Sequence, residues 1–302
     1  MLVYLRLVLT TLIWALVFHF GTYAVAMMHP LAVAAWRFAL GAAALVPLVG
    51  LREGWPASQL KANGWGLVAM AVSGVFAFNV AMFYGLQHTS AVNAALIMAL
   101  SPALTTVLAA TLSRRRIRLL QWLGLALGVT GVICVVGNGS WTLLRQLRLS
   151  SGDGLMLLAS FSWSVYSTIP GCCIRGLSAL QMAGASTTVG AVLLVALALA
   201  RAPQPLHIVS LQLAAILLFM GLAGTTLALV WWNDGVQRLG PARATLFINL
   251  TPVFTALIAV ALGKPPTWAY AAGAALVIAG VWCSVREGGA RPAGRPRAAA
   301  AG

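Results

Sequence analysis

The constraint that most limits how this chain can fold is that it is written twice. Phe83-Tyr84-Gly85-Leu86-Gln87 recurs as Asn233-Asp234-Gly235-Val236-Gln237 at an offset of 150. The same offset carries Leu100-Ser101-Pro102 onto Leu250-Thr251-Pro252 and Thr105 onto Thr255. An offset of 149 pairs Trp14 with Trp163, Gly41 with Gly190, Leu45 with Leu194, Gly131 with Gly280 and Cys134 with Cys283. Both copies are apolar. A duplicated apolar chain is the pattern of a membrane carrier whose site lies between its two repeats.

Composition narrows the class. Hydrophobic residues make up 61% and charged residues 8% of the 302, too little charge for a water-facing surface. The net charge of +15 falls between apolar runs rather than along one face, which argues against a nucleic-acid partner. Cys134, Cys172, Cys173 and Cys283 show neither CxxC nor His-Cys spacing and read as packing residues. No metal and no cofactor is expected. The first apolar run is too long for a signal h-region and reads as a mature helix.

With about 20 apolar residues needed per crossing, the expected spans are 7–27, 30–50, 65–84, 92–111, 119–137, 154–171, 179–200, 211–231, 243–262 and 268–285. The expected fold is therefore an all-α integral membrane protein of ten transmembrane helices. An odd number per copy inverts the second, giving two five-helix halves, 1–137 and 154–285, as an inverted repeat. With the N-terminus inside, 14 of the 19 Lys and Arg lie on the inner side, four (Arg145, Arg148, Arg201, Lys264) on the outer side, and Arg37 within span 2. Both termini are expected to be cytoplasmic. The segment 138–153, with Trp141, Leu143, Leu144 and Leu147, reads as a periplasmic linker with an interfacial turn. The tail 286–302, rich in Ala, Gly, Pro and Arg, reads as disordered and cytoplasmic.

An ordered set of motifs resembles the EamA family of the drug/metabolite transporter superfamily over nearly the whole chain to about 285. It comprises Gly224-Thr225, Trp231-Trp232-Asn233, Gln237 through Ala244 and Asn249-Leu250-Thr251-Pro252-Val253. It also includes Leu12-Ile13-Trp14, Pro30 with Arg37-Phe38, Ser162-Trp163-Ser164 with Tyr166, and Gly273 through Gly280. The resemblance implies a ten-helix carrier in the bacterial inner membrane, with bacterial members that export amino acids, aromatic ones included. The chain departs from the family pattern in span 1, where Trp14-Ala15-Leu16-Val17 replaces Trp-Gly-Ser-Asn. It departs again at Leu112-Ser113-Arg114 and Leu262-Gly263-Lys264, which replace Leu-Gly-Glu. The loss of polar groups in span 1 turns the expectation from sugars or nucleotides toward an apolar or aromatic ligand.

Ionisable groups are costly in the bilayer core and mark function there. None of the four acids falls at an expected midplane. Glu53 and Glu287 are in loops or the tail, Asp153 opens span 6, and Asp234 ends span 8. Asp234 is spaced to pair with Arg238 four residues on, or to serve as a cytoplasmic gate. His19 reads as a hydrogen-bonded interfacial residue or as a ligand contact that titrates. Arg37 is expected to snorkel toward the headgroups, with a cavity-facing, carboxylate-binding role as the alternative. Trp231 and Trp232 read as interfacial.

The expected substrate-facing set is Trp14, Phe18, His19, Phe78, Asn79, Met82, Met98, Ser101, Trp163, Tyr166 and Asn249. Indole faces there would stack on an aromatic ligand or hold an ammonium. Asn79, Ser101 and Asn249 would hold a zwitterion or serve as helix-packing glue. The expected hinges and gates are Gly74, Gly224, Pro102, Pro252 and Asp234. Each proline frees the carbonyl four residues back, at Met98 and Ile248. Span 5 and 10 glycines (Gly124, Gly128, Gly131, Gly273, Gly280) would pack either within or between protomers. The functional expectation is an alternating-access exporter or facilitator of small amphipathic metabolites, aromatic or bulky apolar amino acids first. The alternatives are efflux of cationic drugs or quaternary amines, or a non-transporting receptor or scaffold. An enzyme would need paired acids, a His cluster or a nucleophile–base set, and the sequence offers none. The partners are a small-molecule substrate and the lipid bilayer, with oligomeric state left open.

Overall fold

The computed structural model describes residues 1–89, 91–114, 116–136, 150–204, 207–208, 210–263 and 268–286. Among the described residues every regular element is helical. In chain order these are α1 Leu2–Met27, α2 Pro30–Arg52, the short α3 Ala57–Ala62, α4 Gly64–Leu86, α5 Ala91–Met98, α6 Ser101–Leu112, α7 Leu119–Val136, α8 Ser151–Cys172, α9 Ala179–Arg201, α10 Leu211–Leu239, α11 Pro241–Ala261 and α12 Trp268–Arg286. Six of them (α1, α2, α4, α9, α10 and α11) are long and apolar enough to cross a membrane. Across the helices Leu158, Phe161, Val192, Leu218, Leu257 and Trp282 are exposed apolar side chains, while Asn79, Ser160, Ser164, Thr225, Asn233 and Thr255 are buried. That polarity suits a lipid solvent, with hydroxyls and amides turned inward to find partners.

Local chemistry explains where the helices begin. Ser150 accepts from the Asp153 N–H at 3.2 Å while Asp153 accepts from the Ser150 N–H at 2.7 Å, a capping box that starts α8 earlier than the expected boundary at 154. Ser178 and Gln181 form the same box at α9. At α2 the His29 ring accepts from Leu31 N–H, and Pro30 occupies the first turn, where its missing N–H costs nothing.

The helices assemble by small-residue contact. Helix α7 packs most extensively against α12, and α2 against α9. At Gly131 a Cβ would stand 2.6 Å from the Gly273 carbonyl, and at Gly280 2.6 Å from the Gly124 carbonyl, so these glycines join two antiparallel helices within one protomer. Helices α2 and α9 are also antiparallel: Gly184 meets Val49 at one end, and Leu31 packs with Ala198 at the other. Helix α1 lies on α10 and α11, while α8 lies on α4, α5 and α6.

Three features differ from the sequence expectation. The fourth span, expected at 92–111, is interrupted at Ala99-Leu100, just before Pro102. Its equivalent α11 winds as a 3-10 helix over Thr245–Asn249, just before Pro252. Helix α10 continues to Leu239, where Gly240 at φ +83 ends it, rather than stopping at 231. The linker through 149, the tail from 287 and Lys264 lie outside the described residues.

Candidate functional site

Helices α4 and α10 each widen midway into a π-helix, over Ala71–Ala77 and Leu222–Leu227. A π stretch inserts a residue into the turn and shifts carbonyls out of their usual register. Side chains take up those carbonyls here. Asn79 Nδ2 donates to Gly74 O at 3.2 Å and Val75 O at 2.8 Å. Thr225 and Thr226 hydroxyls donate five residues back, to Met220 O and Gly221 O. The Gly224 carbonyl accepts from the Trp14 indole at 3.1 Å and from an Arg37 terminal nitrogen at 3.2 Å.

Glycine lets the neighbouring helices come close at the same height. A Cβ on Gly74 would stand 2.1 Å from the Tyr166 ring, and one on Gly224 would stand 2.6 Å from Val17. By the sequence offsets these are equivalent contacts. So are Gly85 against Met156 and Gly235 against Leu7, and so are Gly41 against Thr225 and Gly190 against Val75.

Between the π stretches lies an aromatic cluster centred on Trp163. Its ring lies 5.0 Å from Trp14, edge-on, 5.1 Å from Tyr166, stacked, 5.2 Å from Phe78 and 5.4 Å from Trp232. Beside it is a small cavity of about 40 Å³. Aliphatic and aromatic walls with a few polar groups give it the composition of a small-molecule site. Of the expected substrate-facing set, Trp14, Phe18, Phe78, Asn79, Met82, Met98 and Trp163 line this cavity, together with the expected hinge Gly74. Met98 and its equivalent Ile248, the positions four before each proline, both face it.

Other expected residues stand apart from the cavity. Tyr166 lies behind Trp163, and its hydroxyl donates to Asn233 Oδ1 at 3.1 Å. Ser101 pairs with Ser160 at 2.9 Å, joining α6 to α8. Asn249 packs its amide against Gly128 of α7. His19 Nε2 makes a 3.1 Å hydrogen bond with Thr255 O. Asp234 is ion-paired with Arg238 at 2.5 Å and with Arg6 at 3.3 Å, the second pair tying α10 to α1.

Two sequence expectations are corrected. Trp232 is fully buried against Trp14 at 5.2 Å, not interfacial, because α10 runs seven residues beyond it. Arg37 does not snorkel. It is 4% exposed, lines the cavity, and donates from Nε to Thr225 Oγ1 at 3.1 Å and from a terminal nitrogen to Asn79 Oδ1 at 3.2 Å. Its Phe38 neighbour offers a ring face 5.1 Å away. Val17, Phe38, Leu229, Ile248 and Thr251 complete the wall. Leu229 is the repeat equivalent of Asn79, and that offset was a signal available in the sequence.

An all-helical fold with lipid-facing apolar helices and a buried aromatic cavity defines a membrane protein built to receive a small molecule. The model of the EamA-like transporter family matches residues 1–137 and again 150–286. The chain belongs to that family and is a transmembrane transporter. Uncharacterized transporter YyaM of Bacillus subtilis (strain 168) is 32% identical over 92% of each chain. Aromatic amino acid exporter YddG of Escherichia coli (strain K12) is 26% identical over 82% of this chain and 88% of that protein. A solved crystal structure at 21% identity superposes with a TM-score of 0.76, covering 94% of this chain and 97% of that one, and shares the fold.

Proposed function

We propose that the chain is an alternating-access carrier of the bacterial inner membrane that exports, or lets pass, small amphipathic metabolites, with aromatic and bulky apolar amino acids as the first class. The observation that carries this reading is the Trp163-centred aromatic wall at the cavity, formed by helices from both halves of the chain. The name of the YddG relative supports both the aromatic amino-acid class and the outward direction.

The architecture proposed is ten spans in two inverted five-helix halves, 1–137 and 154–285, with both termini cytoplasmic. Three things support it: the twofold family match, the antiparallel pairing of repeat-equivalent helices, and the three pairs of equivalent glycine contacts. In this reading the π stretches around Gly74 and Gly224 and the breaks before Pro102 and Pro252 are the moving parts. Asp234 is the cytoplasmic latch. Among the described residues no carboxylate lines the cavity, so the carrier works as a facilitator or exchanger, with at most weak pH coupling through His19. Arg37 at the cavity argues against the cationic-drug alternative, since a buried guanidinium repels a bare cation.

The test is uptake of a labelled amino-acid panel into proteoliposomes, with and without a pH gradient, for the native chain and Trp163→Ala. Saturable, gradient-independent uptake of aromatic amino acids that the variant loses is the expected result. No flux of any amino acid under either condition removes the substrate class, and a strict need for the gradient removes the facilitator.

A further inference from the structure

Among the polar groups of the cavity, those that can donate predominate. Arg37 donates three hydrogen bonds, all to uncharged acceptors: Thr225 Oγ1, Asn79 Oδ1 and Gly224 O. A guanidinium has five N–H groups, so one on each terminal nitrogen is left over. Trp163 and Thr251 line the same cavity, and Trp163 Nε1 and Thr251 Oγ1 are buried and make no hydrogen bond among the described residues. The acceptors nearest the guanidinium are already engaged. Asn79 Oδ1 is bound by Arg37, and Gly224 O by both Trp14 and Arg37. Buried donors without partners are costly in a structure, and a buried cation with no counter-charge is more so. A cavity offering a cation and two unpartnered groups able to donate, with no acid among its lining residues, is complementary to an anion.

We propose that Arg37, with Trp163 Nε1 and Thr251 Oγ1, recognises a carboxylate on the substrate, and that the ammonium of an amino acid is dispensable. This rests on the reading of the cavity as the transport site. It narrows the substrate class to aromatic and apolar monocarboxylates, amino acids being one case. Guanidinium–carboxylate bonds are charge-assisted. A site built around such donors rejects a ligand lacking the acceptor more strongly than it rejects a change in apolar size.

The experiment uses three probes that share one ring and differ in their charged ends: L-phenylalanine, 3-phenylpropanoate and 2-phenylethylamine. Each is titrated calorimetrically into the purified full-length protein, wild type and Arg37→Gln. The expected result is that 3-phenylpropanoate binds within about threefold of L-phenylalanine and that 2-phenylethylamine binds about tenfold weaker or worse. Arg37→Gln is expected to lose about tenfold on both carboxylates and nothing on the amine. Equal binding of the amine and the acid overturns the proposal, and so does a folded Arg37→Gln that binds the acid as wild type does. The three-probe comparison on the wild-type protein needs no variant, and Arg37→Lys, which keeps the charge and loses the planar fork, provides a second variant if Arg37→Gln does not fold. Binding of 3-phenylpropanoate without L-phenylalanine keeps the carboxylate site and overturns the amino-acid reading. Failure of all three probes overturns both.

Discussion

Gly74 and Tyr166 are fitted so closely that a single methyl group would not pass between them: a Cβ on Gly74 would lie 2.1 Å from the Tyr166 ring. Tyr166 is fully buried, stacked on Trp163, and tethered through its hydroxyl to Asn233. The ring has nowhere to retreat. Gly74→Ala is therefore expected to destabilise by about 1–3 kcal/mol, the range for overpacking a dense interior. Gly224→Ala meets one atom closer than 3 Å, a Val17 methyl at 2.6 Å, where Gly74→Ala meets three Tyr166 atoms between 2.1 and 2.6 Å, so its effect is expected to be smaller. Melting of the two variants in detergent checks the order, and equal destabilisation contradicts it.

Tyr166→Phe removes the hydroxyl that donates to Asn233 Oδ1. Asn233 is completely buried, and its Nδ2 already lacks a partner. An acceptor stripped of its donor in a buried site costs about 1–3 kcal/mol. Because Tyr166 stands behind Trp163 rather than on the cavity wall, the stability loss is expected with little change in apparent substrate affinity. Paired melting and half-saturation measurements test this, and a large rise in half-saturation with normal melting would place the hydroxyl in the site instead.

What the sequence shows of this molecule and what it hides differ in a physical way. Trp14 and Trp163 were legible because duplication pairs them, and Met98 and Ile248 because each stands four residues before a proline. Trp232 was hidden by the length of its helix: a window of about 20 residues ends at 231, whereas the helix continues to Leu239 and carries the indole into the core. Ser101 and Asn249 left two readings open, because a polar side chain in an apolar run looks the same whether it meets a ligand or another helix. Ser101 hydrogen-bonds Ser160 and Asn249 packs its amide on Gly128, both far away in the chain. The π stretches leave no compositional trace, and only the carbonyl partners supplied by Asn79, Thr225 and Thr226 reveal them. Arg37 offered two readings of equal chemistry, and only its depth decided between them.

The Arg6–Asp234 pair ties α1 to α10, with Arg6 a third exposed and Arg238 more so. Exposed pairs are screened by solvent and contribute about 0–1 kcal/mol. Asp234→Asn is accordingly expected to change melting little. If the pair is a latch that opens in each cycle, the same variant changes maximal flux while leaving half-saturation in place. The wild-type flux then depends on ionic strength and the variant's does not. Flux measured across a salt series separates the two, and an identical salt response in both proteins removes the latch.

Gly280 and Gly154 offer a matched test of what holds the α7–α12 pair together. A Cβ at Gly280 would lie 2.6 Å from the Gly124 carbonyl and 2.9 Å from the Gly128 nitrogen, whereas one at Gly154 meets nothing within 4 Å. Both glycines sit in helices, where alanine is intrinsically favoured by about 1 kcal/mol. At Gly154 that preference acts unopposed, so Gly154→Ala is expected to be neutral or slightly stabilising. At Gly280 the obstruction is backbone, which no rotamer change relieves, and in a bilayer close contact between small residues takes the place of the hydrophobic effect in joining helices. Gly280→Ala is expected to cost about 3 kcal/mol, seen as a lower melting temperature in detergent and faster proteolysis of the region that α12 covers. A Gly280→Ala protein as stable as Gly154→Ala would mean that α7 and α12 are held by something other than this contact.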